Sequence, residues 1–249
     1  MDEKELLGGK TLQDTINKYY PLLLEARKRV FFILSIFIIG LLGGFVFYEK
    51  IIGFVIDLFS LTGINIVFTT PFQFINLAFT CGFVVGLVLA FPLIISQVLS
   101  FLRPALKDKE YKTLLYYLPF SIILFLIGFG FGAFIMKWQI EIFLHQSTSL
   151  GIGNVLDVSR LLSVILLTSS VMGIGFQFPI VLLLLMKFKV LTHKQIAAQR
   201  VWVYFGALVF AILLPIDSIL ADILLMMPLV ILFEVTLILH MLTTPRAAG

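Results

Sequence analysis

"VWVYFGALVFAILLPIDSILADILLMMPLVILFEVTLILHM", residues 201–241, carries formal charge only at Asp217, Asp222 and Glu234, and has Pro215 near its middle. A membrane-crossing helix needs about 20 apolar residues, so the stretch is too long for one crossing. Pro215 lacks the N–H that would continue a helix, and with Asp217 it makes a turn. The stretch therefore reads as two helices, 201–214 and 219–241. The first covers about 21 Å at about 1.5 Å per residue, against a hydrocarbon layer of about 30 Å. Either it starts earlier, near Ala197, or the bilayer thins beside it.

The same apolar character runs through the chain. Of 249 residues, 60% are hydrophobic and only 13% charged, and 26 are Phe; mean hydropathy is +1.10. Soluble domains are about half apolar and about a quarter charged, so this is the composition of a membrane protein. Four more spans follow at 30–48, 74–101, 114–136 and 161–186, the second carrying Asn76 and Gln97 but no charge. The expectation is an all-α membrane protein: six transmembrane helices in a curved bundle forming a single integral domain over 1–249. Residues 1–29 are a cytoplasmic N-terminal amphipathic segment with no early greasy core, so the first span is expected to be retained and to serve as its own targeting signal.

Charge sets the orientation. Lys18, Arg27, Lys28 and Arg29 precede the first span; Arg103, Lys107, Lys109 and Lys112 follow the second; Lys187, Lys189, Lys194 and Arg200 follow the fourth. The opposite face has only Lys50, Lys137 and Arg160 as basic residues. The positive-inside rule puts both termini in the cytoplasm of a cell-membrane, multi-pass protein. The net charge of +4 is spent on orientation, so no nucleic acid is expected as a partner. Cys81 is the only cysteine and reads as a small packing residue. His145, His193 and His240 match no metal-ligand spacing, so no metal is expected. Catalytic signatures such as HExxH, GxSxG and Walker A are absent, and neither catalytic residues nor a cofactor is expected.

Between spans, 51–59 reads as a short helix lying on the outer surface. Residues 144–159 read as a polar, Gly-rich turn with a helix start at Asp157 or Ser159. The pairs Gly40 and Gly44, Gly82 and Gly86, and Gly128 and Gly132 let helices approach closely. Pro92, Pro119, Pro179 and Pro228 imply bends.

Polar residues beside or within this apolar mass are the functional candidates. Glu25 sits among Arg27, Lys28 and Arg29, one helical turn from Arg29, with which it can pair. In "FLRPALKDKEYK", residues 101–112, Phe101 stands at the membrane edge and Glu110 in the cytoplasmic loop. Two carboxylates on one cytoplasmic face can receive the guanidinium groups of an arginine-bearing peptide through charge-assisted bonds. Inside the spans, Gln177 needs a partner on another helix. Glu234 is either functional or snorkels to the cytoplasmic interface. Asp217 at the outer turn either caps the last helix or bears on a passing substrate.

The segments "LLLEARKRV", "FLRPALKDKE", "GIGFQFPIVL", "LLPID" and "LFEVT" occur in the order and topology of the TatC family, which this chain resembles over roughly residues 14–241. TatC is the multispanning receptor of the twin-arginine protein translocation system. The resemblance implies a glove-like six-helix body whose fifth and sixth helices are short. It also implies binding of Arg-Arg signal peptides of folded precursors by Glu25 and Glu110, with Phe101 beside them and Arg27 and Arg29 shaping the site. TatA/TatB-type single-span proteins would be partners in an oligomeric complex, and the proton-motive force would drive transport. Gln177 stands where the family typically has a glutamate, in a Phe-Glu-x-Pro pattern. It keeps hydrogen bonding to a partner helix but removes any role that needs negative charge. A proline often found in the first external segment is missing near Ile56 and Asp57, and Leu214–Pro215 replaces the usual threonine-proline. The alternative from the residues alone is a secondary transporter of a small solute or ion, with Glu234 and Gln177 as its polar path. An insertion scaffold and a membrane enzyme come after it.

Overall fold

The computed structural model describes residues 3–59, 66–67, 69–102, 108–149, 156–187, 191–216 and 218–243. Within them the chain is a helical bundle. Helix α1 (Glu3–Val46) is continuous, so the charged segment runs into the first apolar stretch without a break. It is followed by α2 (Tyr48–Leu58), α3 (Gln73–Leu102), α4 (Asp108–Ser149), α5 (Val158–Gly175), α6 (Phe178–Lys187), α7 (His193–Ala198), α8 (Arg200–Ile212) and α9 (Ile219–Thr243). Among the described residues, five segments are long and apolar enough to cross a membrane: Leu24–Val46, Gln73–Val98, Tyr117–Ser147, Val158–Lys187 and Ile219–Leu242. The shorter α8 is the sixth apolar element among the described residues, whereas α9, expected to be short from the resemblance, has 25 residues and is long enough to cross. Helix α8 does not start earlier, because α7 ends at Ala198 and the backbone turns at Gln199.

An all-α, multispanning membrane architecture is therefore present. One addition lies outside the helices. Strand β1 (Ile66–Val67) pairs in parallel with β2 (Leu156–Asp157), Ile66 opposite Leu156 and Val67 opposite Asp157. Asp157 then caps α5, accepting from Arg160 N–H at 3.0 Å. Its second oxygen accepts from Thr69 Oγ1 at 2.7 Å and Gln73 Nε2 at 2.5 Å, and Ser159 Oγ donates to the Gln73 carbonyl at 3.1 Å. One carboxylate thus joins the first turns of α3 and α5.

Burial acts to raise the pKa of Asp157. The hydrogen bonds from Arg160 N–H, Thr69, Gln73 and Ser159 N–H outweigh it and hold the carboxyl below the ordinary value. Its stabilising contribution is then fully present above the unfolded value of about 3.9 and is lost as pH falls through the lower folded value. Thermal stability should fall as pH drops from 5 towards 2, and Asp157→Asn should lose less over that window. Parallel melts of the two proteins in detergent check this.

Glycines set the helix spacing. A Cβ on Gly40 would lie 2.8 Å from Gly86 Cα, and one on Gly44 2.8 Å from Gly82 Cα, so α1 and α3 meet backbone to backbone. Gly128 and Gly132 bring α4 equally close to Met172 and Ser169 of α5. The fourth apolar segment is broken rather than merely bent. Pro179 cannot donate to the preceding turn, α5 stops at Gly175, and α6 restarts at Phe178. Helix α4 runs beyond its apolar stretch as far as Ser149.

Three buried clusters hold these helices. Leu77, Cys81, Met136, Ile140, Leu162 and Ile165 join α3, α4 and α5. Met172, Phe176, Ala211, Leu225 and Leu229 join the α5–α6 break to α8 and α9. Leu182, Met186, Ile196, Phe233 and Leu237 close the end formed by α6, α7 and α9. The α1 span is only 11% buried, against 56% for the α5–α6 span. Exposed Phe31, Leu42 and Val46 on α1 are suited to lipid, which solvates apolar side chains.

Candidate functional site

Glu25 and Arg29 are four residues apart on α1 and therefore share a face. Arg29 Nη2 donates to Glu25 Oε1 at 2.6 Å, the intrahelical pair expected from the spacing. The sequence did not reveal the second tie. Arg29 Nη1 donates to Gln97 Oε1 of α3 at 2.9 Å and to the Gln97 carbonyl at 3.2 Å. The charged edge of α1 is thus fastened to α3, four residues before Phe101. The Glu25 side chain keeps 47% of its surface exposed, while Arg29 keeps 21%. Arg27 lies on another face, its guanidinium 5.5 Å from the Phe31 ring.

An apolar hollow of about 290 Å³ lies between α1 and α3 just membraneward of this cluster, lined by Val30, Ile33, Leu34, Phe37, Ala90 and Ile94 among others. Glu110 falls in the first turn of α4 and Phe101 near the end of α3, but the side chains of both lie outside the described residues. Asp217 also lies outside them.

Gln177 occupies the α5–α6 break. Its Oε1 accepts from Ser121 Oγ of α4, and its Nε2 donates to the Ser121 carbonyl at 3.2 Å and to the Gly173 carbonyl at 3.3 Å. The expected bond to another helix is present. Gln177 also lines a hollow of about 610 Å³ between the break and α8–α9, where Phe178, Trp202, Gly206, Phe210 and Leu229 make the walls apolar.

Glu234 does not stand alone in the last span. Tyr204 Oη donates to its Oε1 at 2.5 Å, and Arg200 Nη2 lies 3.1 Å from its Oε2, so α8 is tied to α9. Tyr204→Phe should lower stability by about 1 kcal/mol, the scale of a hydrogen bond between membrane helices. Arg200→Ala should cost less, because Arg200 is 49% exposed and solvent weakens its attraction to Glu234. Unfolding of both variants in mild detergent tests the ranking.

His193 and His240 stack at 5.9 Å between ring centroids, a contact their sequence separation hid. No group of three or more metal-ligating side chains occurs among the described residues. Gln177 and Glu234, the path expected of a solute transporter, are each engaged by a different neighbouring helix, and nothing supports that alternative.

Comparison with known proteins identifies the family and the fold. The family described as Sec-independent protein translocase protein (TatC) matches residues 21–228. The chain is 29% identical over 222 residues to Sec-independent protein translocase protein TatCy of Bacillus subtilis (strain 168), covering 86% of this chain and 85% of that protein. It is 28% identical over 232 residues to Sec-independent protein translocase protein TatC of Aquifex aeolicus (strain VF5), covering 89% and 94% respectively. A crystal structure of the twin arginine translocase receptor TatC superposes with a TM-score of 0.75 at 28% identity, covering 89% of this chain and 98% of that one. The chain belongs to the TatC family of Sec-independent protein translocase proteins.

Proposed function

We propose that this protein is the receptor core of a twin-arginine translocase and binds the Arg-Arg signal peptides of folded precursors at the cytoplasmic edge of α1 and α3. The observation that carries the reading is Glu25. Its carboxylate is half exposed, anchored on one side by Arg29, and at the start of the first apolar segment, Leu24–Val46, of a chain that matches a translocase family. A guanidinium pair meets an acidic acceptor there, with Glu110 as the second carboxylate and Phe101, Arg27 and Arg29 shaping the approach. The apolar hollow between α1 and α3 suits the hydrophobic part of a signal peptide.

In this reading α8 is the fifth of six crossings, both termini are cytoplasmic, and the body is glove-like. TatA/TatB-type single-span proteins pack against the apolar hollow at Gln177, whose amide carries no charge and, bonded to Ser121 and Gly173, keeps only one acceptor position on Oε1. The complex is oligomeric and uses the proton-motive force. The work is recognition and assembly rather than bond-making chemistry.

The test is photo-crosslinking of a peptide with consecutive arginines, and of its Lys-Lys counterpart, to the full-length protein in lipid nanodiscs. Labelling by the arginine peptide alone, mapped to α1 and the end of α3, is expected. Equal labelling by both peptides would end the receptor proposal.

A further inference from the structure

The guanidinium of Arg29 is held in a way that leaves Glu25 only partly engaged. An arginine usually grips a carboxylate with two parallel bonds, either from both terminal nitrogens or from Nε and one terminal nitrogen. Neither fork forms here. Nη1 is taken by the side chain and carbonyl of Gln97, at 2.9 and 3.2 Å. Nε is buried and has no hydrogen-bond partner among the described residues. Only Nη2 reaches Glu25, through Oε1.

A buried guanidinium N–H without an acceptor is costly, and rotation into a fork on Glu25 would relieve it. Gln97 opposes that rotation by supplying two acceptors on the other side of the guanidinium. Glu25 is left with 47% of its side chain exposed and with acceptor capacity that a forked Arg29 would consume.

We propose that Gln97 is a positioning residue of the peptide-binding site: it holds Arg29 off the forked geometry and so keeps the Glu25 carboxylate open to an incoming guanidinium. This inference rests on the receptor reading of Glu25. An apolar side chain in place of Gln97 removes the nearer acceptor, at 2.9 Å, and leaves Nη1 only the main-chain carbonyl at 3.2 Å, so Arg29 turns onto Glu25 and competes with the ligand for the same oxygens. The competitor is intramolecular and always present, so binding weakens even though Gln97 touches no ligand.

The experiment uses full-length protein in nanodiscs and a fluorescent synthetic peptide with two consecutive arginines, read by anisotropy. Gln97→Leu should raise the Kd about tenfold, the scale of one charge-assisted bond. Gln97→Glu, which restores an acceptor for Nη1, should return it towards the wild-type value. The diagnostic arm is Arg29→Lys, because an ammonium cannot form the fork. In that background Gln97→Leu should have little further effect, a non-additivity that simple loss of helix packing would not produce. Gln97→Met takes the place of the leucine variant should the latter not assemble.

Unchanged affinity in Gln97→Leu, or an equal loss in the Arg29→Lys background, overturns the positioning role and leaves the receptor reading intact. Undiminished binding by Glu25→Ala overturns both the positioning role and the assignment of Glu25 to the binding site.

Discussion

Glu25→Ala should weaken binding of a peptide with consecutive arginines by roughly 30-fold, about 2 kcal/mol. Bonds between charged groups are worth about 1.5–3 kcal/mol, and the half-exposed position of Glu25 excludes the upper end because solvent screens it. Glu25→Gln should fall between, keeping an acceptor but losing charge. Raising salt should weaken wild-type binding more than binding by the alanine variant, since only the former has that attraction to screen. The defect should be local. Arg29 loses one bond but keeps two acceptors on Gln97, so α1 stays docked on α3. Titration of the labelled peptide at two ionic strengths, with a melt of each variant, decides the matter. An alanine variant that binds as tightly as wild type would remove Glu25 from the site.

The largest effect on stability is expected at Gly82. A Cβ there would stand 2.4 Å from the Leu41 main-chain oxygen, and backbone cannot swing aside as a side chain can. Gly82→Ala should therefore force α1 and α3 apart at a cost of about 3 kcal/mol, and Gly82→Val should cost more. Gly43→Ala and Gly130→Ala are the controls, because a Cβ at either position meets nothing within 4 Å. Those two should be neutral or slightly stabilising, alanine being the better helix former. The loss should reach function too, because moving α1 away from α3 takes Arg29 from Gln97. Melting and peptide binding should fall together at Gly82 and be untouched at Gly43. Wild-type stability in Gly82→Ala would mean the helices have room to spare.

What the sequence discloses follows from how local each signal is. The turn between α8 and α9 was legible because Pro215 acts on its own backbone. The start of α5 at Asp157 was legible because a cap acts over three residues. The glycine pairs were visible through their spacing, although which helices they join was not. Hydropathy located the apolar part of α4 but not its end. Beyond Met136 the chain turns polar while its residues still favour helix, so α4 continues to Ser149. Pro179 was read as a bend, yet at the second position of α6 it opens a new helix.

In the candidate site, the Glu25–Arg29 pair was readable as a four-residue spacing. Its anchor on Gln97 was not, since 68 residues separate Arg29 from Gln97 and only the approach of α1 to α3 joins them. The same limit applies to Ser121 under Gln177 and to Tyr204 beside Glu234. The sequence showed a need for a partner at Gln177 alone, and in each case the fold chose the partner.

Helix α8 has 13 residues, about 20 Å of length where the hydrocarbon is about 30 Å thick. In the six-crossing reading, lipid touching it must compress its acyl chains or leave apolar surface against headgroups, and the elastic cost grows with the length of the deformed boundary. Two copies that turn these faces towards each other share one dimple instead of making two. The bilayer would then draw subunits together along α8 before any side chain of one met the other, and thicker membranes would pull harder.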